Sequence, residues 1–145
     1  MAAFIAEPAA LVPGLTGATL AWGDCDNDGD LDFAIAGRDA SYVRSSSIYR
    51  NDGGGVFTNS GASLVGVDLG SLAWGDYDND GDLDLALTGY GNDGLAKGKI
   101  YRNDGGVFVD TNASIWGAFE SSIAWGDYDK DGDLDLAIAG RDGYG

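Results

Sequence analysis

Short runs in which large apolar residues alternate with polar or small residues recur along the chain, and a period of two is typical of β-strands. The clearest run is Leu83-Asp84-Leu85-Ala86-Leu87, and two similar runs occur elsewhere. Each run follows an Ala-Trp-Gly-Asp segment, and the tryptophans of these segments, Trp22, Trp74 and Trp125, lie 52 and 51 residues apart. Since a four-stranded β-propeller blade takes roughly 40–50 residues, the period predicts propeller blades.

The repeat predicts an all-β fold built from four-stranded antiparallel blades, each with an inner, a second, a third and an outer strand. A single repeat domain, residues 1–145, would comprise blade one (20–70), blade two (71–121) and a partial blade three (122–145). Asn-Asp-Gly-Gly follows the third strand of blades one and two and predicts a tight hairpin turn. The predicted strands are Leu20–Gly23, Leu31–Ala36, Ser47–Arg50 and Gly55–Asn59 in blade one; Ser71–Trp74, Leu83–Thr88, Lys99–Arg102 and Val107–Asp110 in blade two; and Ser122–Trp125 and Leu134–Ala139 in blade three.

The N-terminal segment predicts one more strand. Residues 4–12 align with the outer strands of the other blades, so residues 1–19 should hold an orphan outer strand and a linker. The total is then 11 strands in about three blades, whereas closed propellers generally have four to eight blades. Because unpaired strand edges seek partners, we expect a head-to-tail homo-oligomer in which the N-terminal strand of one copy completes the last blade of the next. The alternative is that the sequence is a piece of a larger propeller.

Three acidic loops of nine residues connect the inner and second strands of the blades. Each loop has aspartate at positions 1, 3, 5, 7 and 9 and glycine at position 6. Like charges this close repel one another, so a hard cation is needed to hold them together, and Ca²⁺ accepts six to eight oxygen ligands. Positions 1, 3, 5 and 9 should bind the ion through their carboxylates, and position 7 should bind it through its backbone carbonyl. The predicted ligands of three calcium sites are Asp24, Asp26, Asp28, Asp30 and Asp32; Asp76, Asp78, Asp80, Asp82 and Asp84; and Asp127, Asp129, Asp131, Asp133 and Asp135.

The acidic loops have two other interpretations. An EF-hand needs a bidentate glutamate at position 12, where this chain has Ile35, Leu87 and Ile138, and it needs flanking helices, where this chain has strand-like runs. Acidic loops can also be simple solvated turns. Three copies with the same glycine and the same five aspartates favour the metal.

Composition limits the classes of partner and of chemistry. The net charge is −16, and 15 of the 24 acidic residues lie in the acidic loops, so nucleic acid and insertion into a membrane are not expected. The chain has no histidine and a single cysteine, Cys25, which we interpret as a small loop residue rather than a reactive thiol. No nucleophile motif is visible, and the carboxylates are assigned to metal, so we do not expect an enzyme.

The pattern Ala-Trp-Gly-Asp-Tyr-Asp-Asn-Asp-Gly-Asp-Leu-Asp-Leu-Ala, followed by Ile-Tyr-Arg-Asn-Asp-Gly-Gly and Val-Phe, resembles the FG-GAP/VCBS repeats of integrin-like β-propellers. The resemblance implies a calcium site in the loop between the first two strands of each blade. It also implies a place outside the cell or on its surface, in adhesion, ligand recognition or scaffolding. The family includes lectins, so a calcium-dependent carbohydrate-binding protein is the alternative. No signal peptide is visible at the N-terminus.

Calcium and the aromatic residues each allow two roles. Calcium could be structural, which complete aspartate coordination favours, or it could also bridge a sugar or carboxylate ligand. We expect the repeated tryptophans to pack between blades, with sugar stacking as the alternative, and Trp116 to be exposed. The loops 38–46 and 90–98 differ between blades and are the best candidates for binding a glycan or protein.

Overall fold

The computed structural model describes residues 14–142, which form ten β-strands and no helix. Because no helix occurs in this range, none is long and apolar enough to cross a membrane. The strands are β1 (Thr16–Gly23), β2 (Asp32–Arg38), β3 (Arg44–Asn51), β4 (Phe57–Asn59), β5 (Val67–Gly75), β6 (Asp84–Gly91), β7 (Ala96–Asp104), β8 (Val107–Asp110), β9 (Phe119–Gly126) and β10 (Asp135–Arg141).

The strands form three separate antiparallel sheets in chain order. The first sheet is β1-β2-β3-β4, the second is β5-β6-β7-β8, and the third holds β9 and β10. Corresponding strands pair in the same register: Trp22 lies opposite Phe33 in the first sheet, and Trp74 lies opposite Leu85 in the second. The predicted all-β class with four-stranded antiparallel sheets is therefore confirmed, and the open arrangement is that of an incomplete propeller.

The ten strands predicted from residue 20 onward are all present, but several begin earlier than expected. The inner strands β1, β5 and β9 extend toward their N-termini across a bulge, where the register shifts between Asp68 and Ser71 in the second sheet. The bulge places Leu69 and Glu120 at φ values of 52° and 47°, and Gly17 takes 58° at the equivalent place. Apolar alternation does not reveal a bulge, because the extra residue interrupts the period of two. The predicted orphan strand, residues 4–12, lies outside the described residues, so strand addition to the third sheet stays a prediction.

The core lies between the first and second sheets. Both faces of β2 and of β6 are largely buried, unlike the one-sided burial of a surface sheet. Small residues such as Ala34 and Ala36 form one face of β2, which lets β5 of the next sheet approach closely. The large residues of β2 lie on one buried face, where Phe33 packs against other aromatic residues of the same sheet. The small residues lie on the other buried face, which contacts the neighbouring sheet. The main core cluster consists of Cys25, Ala34, Ala36, Ile48, Val67, Leu72, Leu85, Leu87 and Tyr101.

Candidate metal sites

Each acidic loop brings three of its five aspartates together at one point. The side chains at positions 1, 3 and 9 each offer a carboxylate oxygen, and the three oxygens lie within 4.8 Å of one another in every loop. The loops lie at the same end of their sheets, because each joins an inner strand to a second strand. The three carboxylate triads are Asp24, Asp26 and Asp32; Asp76, Asp78 and Asp84; and Asp127, Asp129 and Asp135.

The position-1 aspartate shapes the loop. Asp76 accepts the backbone N–H of Asp80 and of Gly81, each at 3.0 Å, and Asp24 does the same in the first loop. Two left-handed residues make this tight turn possible. Gly81 at position 6 has φ of 95°, a region that favours glycine, and Asn79 at position 4 has φ of 60°, which asparagine tolerates better than most residues.

The position-9 aspartate ties the loop to the rest of its sheet. Asp84 is fully buried, and its two oxygens accept the backbone N–H of Tyr77 at 3.0 Å and of Asn103 at 2.8 Å. Asp32 is also fully buried and accepts N–H groups from Cys25 and Asn51, both at 2.8 Å. This carboxylate therefore joins the acidic loop to the end of the third strand. The remaining lone pairs of its oxygens stay available for a metal ion.

The other two aspartates of each loop have different positions. At position 5, Asp28, Asp80 and Asp131 lie outside the triads and accept the backbone N–H of the residue two places later. At position 7, the side chains turn toward the neighbouring loop instead. Asp82 accepts a hydrogen bond from the Asn27 side chain at 2.8 Å, and Asp133 accepts one from the Asn79 side chain at 2.9 Å. The calcium ligand predicted at position 7 is the backbone carbonyl, so these side-chain contacts do not conflict with it. The position-7 residue of the first loop is Asp30.

The electrostatics of the triads fit a cation. Burial, followed by the neighbouring charges of Asp32 and Asp28, raises the pKa of Asp26. Burial raises the pKa of Asp84 to about 6. Moreover, the Oδ1 atom of Asp26 is buried and accepts no hydrogen bond from the described part of the chain. Oxygen-only donors, converging carboxylates and an unsatisfied buried oxygen are what a hard divalent ion such as Ca²⁺ requires.

Comparison with known families agrees with this architecture. The model of the FG-GAP-like repeat matches the chain twice, over residues 24–87 and 76–138. The chain belongs to the FG-GAP-like repeat family. Each match begins at the first residue of an acidic loop and ends in a second strand beyond the next loop, so it covers the last three strands of one sheet and the first two strands of the next. No curated protein and no solved structure matches the chain.

A cavity of about 700 Å³ opens at the end of the FG-GAP-like sheets opposite the acidic loops. Its wall includes Asp68, which is fully buried and lies 2.7 Å from Arg44 and 3.3 Å from Arg38. The Arg44 guanidinium also stacks over the Tyr90 ring at 4.9 Å. Trp116 lines the same cavity and is 46% exposed, as the sequence predicted.

Other sequence predictions have mixed outcomes. Trp74 and Trp125 pack against the preceding sheet, as expected, but Trp22 is 52% exposed because no described sheet lies before the first. Cys25 is buried, and burial, reinforced by Asp32, raises the pKa of its thiol, in agreement with an inert residue. The roles of position 4 in the left-handed turn and of position 7 between loops were missed. The signal in the first two loops was asparagine at position 4, because asparagine tolerates the left-handed region, whereas Lys130 adopts φ of 64° in the third loop without that signal.

Proposed function

We propose that the chain is a non-catalytic, calcium-binding β-propeller module that acts outside the cell in adhesion, recognition or scaffolding. The observation that carries the proposal is the carboxylate triad, repeated three times with oxygens within 4.8 Å. Two of the triads each include a fully buried aspartate, Asp32 and Asp84. Clustered carboxylates that are partly buried need a counter-charge, and the nearby Arg50 lowers the pKa of Asp26 by less than burial and the neighbouring carboxylates raise it.

Calcium would act chiefly as a structural ion. It would neutralise the acidic loop and would fix the connection between the inner and second strands. A calcium ion that binds the folded chain but not the unfolded chain raises the free energy of unfolding by about 2.7 kcal/mol per site, at a calcium concentration of 100 Kd. Three such sites would supply roughly 8 kcal/mol, which is comparable with the 5–15 kcal/mol stability of a typical domain.

The sharpest test replaces one triad carboxylate without disturbing the loop. Asp78 at position 3 is the exposed member of its triad, whereas Asp76 and Asp84 also accept backbone hydrogen bonds. Asp78→Asn should therefore remove calcium ligation while leaving the metal-free fold intact. Isothermal titration should give one calcium fewer per chain than the three expected of the unaltered protein. The calcium-dependent rise in melting temperature should shrink accordingly.

Asp110→Asn is the matched control, because Asp110 lies outside the triads and pairs with Lys99 at 2.7 Å. This variant should bind as much calcium as the unaltered chain. Equal stoichiometry in the Asp78 and Asp110 variants would contradict the assigned triad. A melting curve that is the same in calcium and in chelator would contradict the structural role.

The non-catalytic, extracellular part of the proposal is supported by the family, since FG-GAP repeats are typically structural modules found outside the cell. The chain's own residues agree with it. The triad carboxylates would be occupied by the metal, and the cysteine is buried with a raised thiol pKa. Fractionation of the source cells would test the location, and an intracellular pool alone would contradict it.

The cavity favours a second candidate function, that of a calcium-dependent lectin. Sugar sites combine aromatic faces with a few charged hydrogen-bonding groups, and here Tyr90 and Trp116 lie beside Arg44 and Asp68. Since the cavity lies at the end away from the triads, calcium would support it through the fold rather than by touching the sugar. A glycan array should then show binding that chelator abolishes and that Trp116→Ala weakens. Calcium binding without any glycan signal would leave the structural function and exclude the lectin.

A further inference from the structure

Neighbouring sheets contact each other through a tryptophan and a carbonyl. The Trp74 indole N–H donates to the Ala21 carbonyl at 3.1 Å, which joins the second sheet to the first. The Trp125 indole N–H donates to the Ala73 carbonyl at 3.2 Å, which joins the third sheet to the second in the same way. The chain therefore contains two copies of one interface.

A glycine on the preceding sheet makes room for each of these tryptophans. A Cβ atom added to Gly23 would lie 2.8 Å from the Trp74 ring, and one added to Gly75 would lie 2.6 Å from the Trp125 ring. On the third sheet, the equivalent residue is Gly126, and a Cβ atom there would have nothing within 4 Å. The third sheet thus presents the same recess, and within residues 14–142 no tryptophan occupies it.

The tyrosine beside the recess is likewise covered by a tryptophan in the second sheet and exposed in the third. Tyr77 stacks on Trp125 with centroids 6.1 Å apart and ring planes at 11°. Its equivalent in the third loop, Tyr128, is 82% exposed. The outer face of the third sheet therefore carries the glycine recess and the stacking surface on which a tryptophan would lie.

The first sheet carries the complementary face. Trp22, at the position of Trp74 and Trp125, is 52% exposed. Leu20 is 45% exposed, although its equivalents Leu72 and Ile123 are only 8% and 7% exposed. An apolar position that is buried in two repeats and exposed in the third marks an interface whose partner is not among the described residues.

The loops extend this complementarity to charge. Position 4 of one loop donates to the position-7 aspartate of the next: Asn27 bonds Asp82 at 2.8 Å, and Asn79 bonds Asp133 at 2.9 Å. The third loop has Lys130 at position 4, and the first loop has Asp30 at position 7. A further contact of this kind would replace an amide–carboxylate hydrogen bond by an ion pair, which is shorter and stronger.

We propose that the outer face of the third sheet binds the outer face of the first sheet in a second copy of this chain. Trp22 of one copy would lie over Gly126 and Tyr128 of the other, with its N–H directed at the Ala124 carbonyl, and Lys130 would pair with Asp30. A second copy is the occupant because the chain carries both halves of an interface that it already forms twice internally. The contact is head-to-tail, so it closes into a ring or continues as a filament.

Two copies suffice for a closed ring. The described residues of each copy form three sheets, so two copies would give six, which lies within the four to eight blades of closed propellers, whereas three copies would give nine. This assembly would be the scaffold form of the function proposed above. It depends on calcium only because calcium would order the loops that carry Lys130 and Asp30. We therefore expect a dimer in calcium, with twice the mass of one chain.

The decisive experiment measures mass by sedimentation or light scattering in calcium, for the unaltered chain and for Gly126→Val. Valine would fill the recess on the third sheet, and since a Cβ atom there meets nothing within 4 Å, the single chain should still fold. The expected result is a dimer for the unaltered chain and a monomer with an unchanged circular dichroism spectrum for the variant. A monomeric unaltered chain, or a dimer that persists in Gly126→Val, would overturn the proposal.

A charge exchange provides an independent test that does not depend on the recess. Lys130→Gln should weaken dimerisation by up to about fivefold, the usual range for an exposed ion pair. Lys130→Asp should weaken it further, and Asp30→Lys in the same chain should restore it. Failure of the double variant to recover would overturn the pairing. Calcium titration on the same samples separates the two proposals, because a monomer that still binds calcium contradicts only the assembly.

Discussion

Gly75→Ala tests whether the interface between sheets depends on the glycine recess. The added Cβ would lie 2.6 Å from Cδ1 and 2.8 Å from Cγ of Trp125, and 3.1 Å from a methyl carbon of Leu134. Contacts below 3.0 Å between carbon atoms cannot persist, so the indole or the whole third sheet must shift. We therefore expect the third sheet to lose its packing against the second.

The size of the effect follows from two contributions. Overpacking in a well-packed core costs about 1–3 kcal/mol. A shift of the indole would also weaken the hydrogen bond from Trp125 to the Ala73 carbonyl, now 3.2 Å long, which contributes about 0.5–1.5 kcal/mol. The loss should be about 2–4 kcal/mol, or roughly 5–15 °C in melting temperature for a domain of this size.

Thermal and urea unfolding, followed by circular dichroism in excess calcium, would measure the loss. Gly14→Ala is the control, because a Cβ at Gly14 meets nothing within 4 Å and its φ lies outside the left-handed region. That substitution reports the gain of about 0.4–1 kcal/mol that alanine gives by restricting the unfolded chain. If Gly75→Ala is as stable as Gly14→Ala, the close approach of tryptophan to glycine is not what holds neighbouring sheets together.

Three further predictions concern buried groups. Burial raises the pKa of Asp84 to about 6, above the unfolded value of about 3.9, so without metal its contribution to stability is full below about pH 4 and is lost as the pH rises through about 6. Urea unfolding in chelator should show a fall of about 3 kcal/mol in the free energy of unfolding over this range, and Asp84→Asn should abolish the pH dependence. Cys25, with its buried thiol of raised pKa, should react with alkylating reagents only after denaturation; rapid labelling of the folded chain would contradict its burial. Arg44→Met should cost about 2–4 kcal/mol in chemical denaturation, because it removes the closer partner of the buried Asp68; a loss below about 1 kcal/mol, typical of a surface pair, would show that Arg38 alone is sufficient.

The sequence predicted the sheets well because local pattern and repeat period agree. Alternation at Leu83–Leu87 and the Asn-Asp-Gly-Gly turns follow from local backbone chemistry, and the spacing of the tryptophans gives the repeat period. The family and the fold class were predicted correctly for the same reason. The carboxylates at positions 1, 3 and 9 converge and those at position 5 bond the loop backbone, while their binding of metal stays a prediction.

The features that were missed depend on contacts between repeats. The exposure of Trp22 cannot be read from its repeat position, because it depends on whether another sheet lies before the first. The use of Asp82 and Asp133 to bind the preceding loop depends on the distance between two loops more than 50 residues apart. The bulges at Leu69 and Glu120 adopt left-handed backbone angles that neither residue favours by itself, so tertiary packing must impose them.

The tryptophan that lies over a neighbouring glycine has a consequence for how such proteins change during evolution. Each interface is formed by residues that recur after 52 or 51 positions, so duplication or deletion of one whole unit would recreate the same junction. An insertion within a strand would shift the indole away from its glycine, whereas the loops can differ in length, as the spacings of 52 and 51 residues show. Genes for these arrays can therefore grow or shrink in steps of one unit, while each surviving junction keeps its geometry.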